Sequence, residues 1–145
     1  MWMHSRCRLH AAGVQAEEES LKGSETILVA EDEEMVRNLV CRVLTQSGYT
    51  VLDAGYGENV FEICKAHSGP IHLLVTDVVM PQMSGRALAE GLQPSYPEMK
   101  VLYMSGYTDD ILDQHAVRDK EIIFISKPFM PDDLLIKVRE VLDTL

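Results

Sequence analysis

The sequence predicts an α/β fold: a doubly wound, five-stranded parallel sheet with helices covering both faces. Three observations lead there. Short β-branched runs alternate with amphipathic helical stretches from residue 25 to the end of the chain. The run Leu-Leu-Val-Thr-Asp-Val-Val-Met-Pro (73–81) lacks polar alternation before its aspartate, as a strand buried on both faces must. Acidic, hydroxyl and amino side chains also recur where these runs end, the edge at which open α/β sheets place their ligands.

Each element has its own signal. Thr26–Ala30 is the first strand, and Glu31, Asp32, Glu33 and Glu34 follow it. Val36, Leu39, Val40, Val43 and Leu44 then recur at helical spacing, with an acidic first turn that suits the helix dipole and Ser47-Gly48 as terminator. Tyr49–Ala54 is the second strand, with Gly55 and Gly57 in the turn. A second helix carries Val60, Ile63, Cys64 and His67 and stops at Ser68-Gly69-Pro70. Ile71–Asp77 is the third strand. Ser84 caps a short helix with Leu88 and Leu92 on its apolar face, ended before Pro94. Met99–Ser105 is the fourth strand, and Thr108-Asp109-Asp110 opens a fourth helix through Ile111, Leu112, His115 and Ala116. Ile122–Ile125 is the fifth strand. Pro131, Asp132 and Asp133 start the fifth helix, with Leu135, Val138, Val141, Leu142 and Leu145 as its expected core face.

Composition bounds the function. The chain has 145 residues, 46% hydrophobic and 25% charged, which suits one globular domain. Residues 1–24 have neither strand alternation nor an apolar face and read as a linker or the stub of a preceding region; residues 25–145 form the domain. Arg6, Arg8 and Lys22 cancel Glu17, Glu18 and Glu19, so the formal charge of −10 falls entirely on the domain. Such a surface repels phosphate backbones, so direct nucleic-acid binding is not expected. Nor is membrane contact, because no apolar segment approaches the roughly 20 residues of a membrane span. Cys7, Cys41 and Cys64 lack metal spacing, and Cys41 and Cys64 read as small buried hydrophobes of a reducing compartment, a cytoplasm. His4, Cys7 and His10 lie in the unstructured tail and do not read as a metal site. His67, His72 and His115 read as surface or packing residues, and Met80, Met83, Met104 and Met130 as packing.

The strand ends carry the chemistry. In a parallel sheet they emerge on one edge, bringing together Glu31 and Asp32 (first strand), Asp77 (third), Ser105 (fourth) and Lys127 (fifth). Crowded carboxylates raise one another's pKa unless a cation sits among them, and an oxygen donor set suits Mg²⁺. A carboxylate beside such an ion, faced by a lysine and a hydroxyl, has the parts needed to take up a phosphoryl group.

Five motifs, in this order and spacing, give the chain a close resemblance to the receiver domain of two-component response regulators. They are Ile-Leu-Val-Ala-Glu-Asp-Glu (27–33), Leu-Val-Thr-Asp-Val-Val-Met-Pro (74–81), Met-Ser-Gly (83–85), Met-Ser-Gly-Tyr (104–107) and Lys-Pro-Phe (127–129). The resemblance implies a flavodoxin-like strand order of 2-1-3-4-5 with five helices. It implies that Asp77 accepts a phosphoryl group from a phosphohistidine on a histidine kinase or histidine phosphotransfer domain. By the same resemblance Glu31, Asp32, Asp77 and the Val79 backbone carbonyl hold Mg²⁺ (or Mn²⁺), Ser105 and Lys127 sense the phosphoryl group, and the Lys127-Pro128 peptide is cis. Ser105 and Phe124 are the implied switch, and the face of the fourth helix, fifth strand and fifth helix is the implied site of a weak homodimer. The only catalysis implied is of the domain's own phosphorylation and dephosphorylation. The motifs around Asp77 and Ser105 are similar to those of receivers at the C-terminus of hybrid sensor kinases.

Glu31 replaces the aspartate common in relatives, Phe124 replaces a more frequent tyrosine, and apolar Val79 stands where some relatives place a polar residue that orients water. Slow autodephosphorylation is the expectation from Val79. Three other functions compete. A phosphatase of the haloacid dehalogenase type would need a second acid where Val79 stands. A pseudo-receiver, an interaction module never phosphorylated, usually lacks one of the pocket residues retained here. A flavin-binding module would need a Ser/Thr/Gly-rich phosphate loop after the first strand.

Overall fold

The computed structural model describes residues 21–55, 57–80, 82–106 and 123–144. Strands β1 (Thr26–Ala30), β2 (Thr50–Ala54), β3 (Leu73–Asp77), β4 (Lys100–Ser105) and β5 (Ile123–Ser126) form one sheet. All neighbours are parallel and the order is β2-β1-β3-β4-β5. The described helices are α1 (Glu34–Gln46), α2 (Gly57–Ala66), α3 (Gly85–Leu92) and α4 (Pro131–Asp143). The fourth helix read from the sequence, at 108–116, lies outside the described residues, so α4 is the fifth helix of that reading.

The side-chain period of two along each strand divides the core. Ile27 and Val29 of β1, with Leu73 and Val75 of β3, face α1 and α4 and meet Val40, Val43, Leu44, Leu134, Val138 and Val141. Leu28, Ala30 and Leu74 point the other way, against Val60 and Cys64 of α2 and Leu88, Ala89 and Leu92 of α3. Every residue of β3 is buried, as a central strand covered on both faces requires.

Helix ends follow local chemistry. The Ser84 hydroxyl accepts from the Ala87 amide at 3.1 Å and caps α3. Gly48 takes a left-handed φ of 101° after α1. Two helical faces differ from expectation. On α4 Val138 and Val141 are buried as expected and Leu134 joins them, whereas Leu135 and Leu142 are half-buried and Leu145 lies outside the described residues. Leu134, Val138 and Val141 follow at spacings of four and three on one face, and Leu135 and Leu142 flank it against the same core. On α1, Leu39 is exposed although it shares the heptad-like pattern with Val36 and Val40. The covered stripe runs through Val36, Val40, Val43 and Leu44, and Leu39 lies beyond it. Among the described residues no helix is long and apolar enough to cross a membrane.

Candidate functional site: an acidic pocket closed by a lysine

Parallel pairing aligns the carboxyl ends of β1, β3, β4 and β5 on one edge. Glu31 follows β1 directly, and its amide donates to the Ala54 carbonyl at the end of β2 (3.1 Å). Asp77 is the last residue of β3 and pairs in register with Met104 of β4, one residue before Ser105. Beyond β5, the Lys127 amide donates to the Ser105 carbonyl (2.8 Å), which carries the lysine back over the strand ends. The Lys127–Pro128 peptide is cis.

The side chains converge. One carboxylate oxygen from each of Glu31, Asp32 and Asp77 lies within 4.8 Å of the others. Glu31 is 1% exposed and Asp77 is 4% exposed, whereas Asp32 faces solvent. Lys127 Nζ donates to Glu31 Oε2 at 2.7 Å and is also ion-paired with Asp77. The other Glu31 oxygen accepts from the Glu33 amide at 3.0 Å. Ser105 is buried at the neighbouring strand end, and Val79 is exposed in the turn after β3. Phe124 is half-buried on β5, its ring centroid 5.7 Å from that of Tyr103.

The charges are unequal partners. Burial pushes the Asp77 carboxyl well above the usual carboxylate range, Glu31 beside it adds to the effect, and Lys127 only partly opposes it. Burial also works against ionised Glu31, but hydrogen bonds from Asp77 and Lys127 outweigh it and hold that carboxyl below its ordinary value. Burial disfavours charged Lys127 too, yet Asp77 and Glu31 together raise its pKa. Without another cation the surroundings therefore favour a proton on Asp77 and the charged forms of Glu31 and Lys127. A second positive charge would release that proton.

One glycine fixes where Asp77 sits. The Gly85 amide donates to the Val78 carbonyl at 2.9 Å, and a Cβ on Gly85 would fall 1.9 Å from the Asp77 carbonyl oxygen. No side-chain motion relieves a clash with backbone, so the start of α3 packs directly on the peptide of Asp77 only because residue 85 is glycine.

Residues 27–139 match the response regulator receiver domain family. The chain belongs to that family. It is 37% identical to the "Sensor kinase CckA" of Brucella abortus (strain 2308) over 85% of this chain, but spans only 13% of that protein's length. It is 33% identical to the "Response regulator receiver protein CpdR" of the same organism, over 80% of this chain and 95% of that one. Among solved structures, the receiver domain from the hybrid histidine kinase CckA superposes with a TM-score of 0.67 at 29% identity, covering 81% of this chain and 99% of that one. The function class is thus that of a two-component receiver domain, and neither the phosphatase nor the flavin-binding alternative is favoured.

The structure brings the carboxylates of Glu31, Asp32 and Asp77 together, sets Lys127 on Glu31 and Asp77, and carries Ser105 and Val79 on adjoining backbone. Sequence reasoning missed Arg37, whose guanidinium donates to the Glu31 carbonyl (2.7 Å), and Gly85 as a contact of Asp77. A basic residue one turn into a helix that follows an acidic pair was the available signal for the first. The second is visible only in the distance between two backbones. His72 is also more than a surface residue: its Nδ1 accepts from the Thr26 amide at 2.9 Å, which leaves the ring proton on Nε2.

Proposed function

We propose that Asp77 is the phosphoacceptor of this receiver and that a phosphohistidine of a histidine kinase or histidine phosphotransfer domain is its donor. The single observation that carries this is the placement of Lys127 Nζ on both Asp77 and Glu31, with Asp32 completing an all-oxygen pocket. Three carboxylates and one ammonium leave an excess of negative charge in a largely dry site. Hard oxygen donors that close together suit Mg²⁺ or Mn²⁺, and in this reading Glu31, Asp32, Asp77 and the Val79 carbonyl would hold it. The ion's charge would keep Asp77 ionised and offset phosphoryl negative charge.

The chain's own residues do the rest. An Asp77 carboxylate oxygen attacks phosphorus as the bond to the donor imidazole nitrogen breaks; with a proton on the ring's other nitrogen the leaving group is a neutral histidine and the product an acyl phosphate. Lys127 already lies on Asp77 and neutralises a phosphoryl oxygen, while the Ser105 hydroxyl donates to another. Roughly two added charges then favour an arrangement in which Ser105 moves toward the phosphoryl group and Phe124 turns from its half-exposed position beside Tyr103. The output is an altered surface that includes β5 and α4, where a weak homodimer would form. Met130, expected from the sequence to pack, is exposed like Met35; they stand at the starts of α4 and α1 and offer the donor apolar contact beside the charge.

Whether the domain acts alone or as the tail of a hybrid kinase, its place is the cytoplasm, where donor kinases hold their ATP. The test is intact mass after incubation with acetyl phosphate, for wild type and Asp77→Asn. A labile gain of one phosphoryl group that requires Mg²⁺ and Asp77 is expected. If no adduct forms with acetyl phosphate or with a phosphorylated kinase domain, the pseudo-receiver reading replaces this one.

A further inference from the structure

Glu31 and Asp32 are adjacent, so the directions of their carboxylates depend on the peptide that joins them. The oxygen of that peptide is the Glu31 carbonyl, which accepts from Arg37 Nη1 at 2.7 Å. The amide before it is tied as well, donating to the Ala54 carbonyl at 3.1 Å. Arg37 is in turn oriented by Asp53 at the end of β2, with Nε 3.4 Å from Oδ2. A third feature makes room for it. A Cβ on Gly55 would lie 2.8 Å from Arg37 Nη1 and 3.6 Å from its Cζ, so a side chain at 55 requires the guanidinium to shift from the place where it meets the carbonyl. Arg37, Asp53 and Gly55 are thus arranged around one peptide oxygen, and the structure records no contact of theirs with Asp77 or Lys127 among the described hydrogen bonds and ion pairs.

We propose that Arg37 is a positioning residue for the metal pocket: through the Glu31 carbonyl it sets how the Glu31 and Asp32 carboxylates diverge, and Gly55 is the space its guanidinium needs. This rests on the reading that the pocket binds Mg²⁺. Glu31 gives the brace its purpose. A glutamate has one more rotatable bond than an aspartate, so with its carboxylate held by Lys127 and the Glu33 amide, a fixed backbone leaves it fewer arrangements in the pocket. An arginine fork suits the task because Nη1 serves the carbonyl while Nε serves Asp53, which a lysine could not do at once.

A purely structural role would tie α1 to β2 and alter melting alone, so the test measures metal binding apart from stability. Calorimetric titration with MgCl₂ is performed on wild type, Arg37→Met, Gly55→Ala and the double variant, with thermal unfolding of each in EDTA. Losing one hydrogen bond that orders the site should raise the Mg²⁺ Kd roughly fivefold to tenfold in each single variant. The double variant should bind no more weakly than Arg37→Met, because the methyl group added at position 55 acts only by displacing a guanidinium that is no longer there. Asp53→Asn should weaken binding about twofold. Single variants that melt lower yet bind Mg²⁺ as wild type does would reduce Arg37 to a structural brace and overturn the proposal. Losses that multiply in the double variant would overturn the link between Gly55 and Arg37. A wild type that binds no Mg²⁺ would instead defeat the reading of the pocket, and this proposal with it.

Discussion

Among the described residues, one cation sits between two carboxylates at two places, on opposite edges of the same sheet. At the carboxyl edge Lys127 joins Glu31 and Asp77. At the amino edge Arg139 of α4 joins Glu25, which precedes β1, at 2.8 Å and Asp143 of its own helix at 2.7 Å. It also donates to the Tyr49 hydroxyl and the Lys22 carbonyl. The arginine fork has a partner for each of its nitrogens, so this network is closed. Lysine is a point charge, and its pocket holds a third carboxylate, Asp32, that remains exposed. Exposure separates the two sites further: the side chains of Glu31 and Asp77 are 1% and 6% exposed, those of Glu25 and Asp143 25% and 63%. A cluster that satisfies itself in part-solvated surroundings contributes to holding the chain together. A buried cluster with surplus negative charge is poised to take up positive charge.

The contrast is tested most severely at Lys127. Lys127→Met should lower the rate of phosphorylation by acetyl phosphate about 100-fold or more, as loss of a preorganised charge at a transferring phosphoryl group does. Arg139→Met should leave that rate within about twofold of wild type. Comparable losses would erase the distinction between the two sites.

Gly85 gives the next effect in size. Gly85→Ala forces backbone apart at Asp77 and should cost about 1–3 kcal/mol in chemical denaturation, with loss of phosphorylation per folded molecule. Gly91→Ala, at the other end of α3, meets only the tip of the Phe61 ring at 2.9 Å. That ring can turn away, so a smaller stability loss and an unchanged rate are expected. A glycine is indispensable at the end of the helix that touches the pocket and merely convenient at the other.

Protonation separates the sites as well. The folded pKa of Asp77 is raised, chiefly by burial, so its favourable contribution is present at low pH and is lost as pH rises through the raised value. In EDTA, Asp77→Asn should therefore be more stable than wild type, by a margin that widens from pH 5 to pH 8. Glu25 behaves oppositely. Its pKa is lowered, first by the hydrogen bond from Arg139, so its contribution is present above the unfolded carboxylate value and is lost as pH falls through the folded one. Arg139→Met should melt a few degrees below wild type at pH 7, about 1 kcal/mol in an exposed network, and the gap should close below about pH 4. A gap independent of pH would mean that packing of the arginine stem, not its charge, accounts for the difference.

The smallest effect concerns Val79. Its exposed apolar side chain offers no hydrogen bond to water beside Asp77, so Val79→Asn should shorten the phosphoryl lifetime several-fold. Decay no faster in the variant would remove Val79 from the account of phosphoryl lifetime.

The two edges were unequally legible in the sequence. The pocket could be read because parallel topology sends every strand's carboxyl end to one side, so Glu31, Asp77, Ser105 and Lys127 were brought together by strand periodicity alone. The buried strands were legible for the same reason, since a fully covered strand such as β3 has no polar residue to confuse its period. The Arg139 network was not. It joins residues 25, 49, 139 and 143 through rotamers of long side chains on an amphipathic helix, where an arginine is indistinguishable from a solvated one. Leu134 was missed because α4 carries leucines at 134 and 135, and a rotation of one residue decides which is inside. Gly85 and Gly55 escaped because their significance is an absent atom. Space next to a backbone leaves no residue pattern.

We propose the lysine-closed pocket, and not the arginine network, as the acceptor site. It is tested most directly by phosphorylation rates per folded molecule for Lys127→Met and Arg139→Met, measured together with acetyl phosphate and saturating MgCl₂. A rate reduced about 100-fold in the first and near wild type in the second is predicted. Near-wild-type phosphorylation of a folded Lys127→Met protein would contradict it.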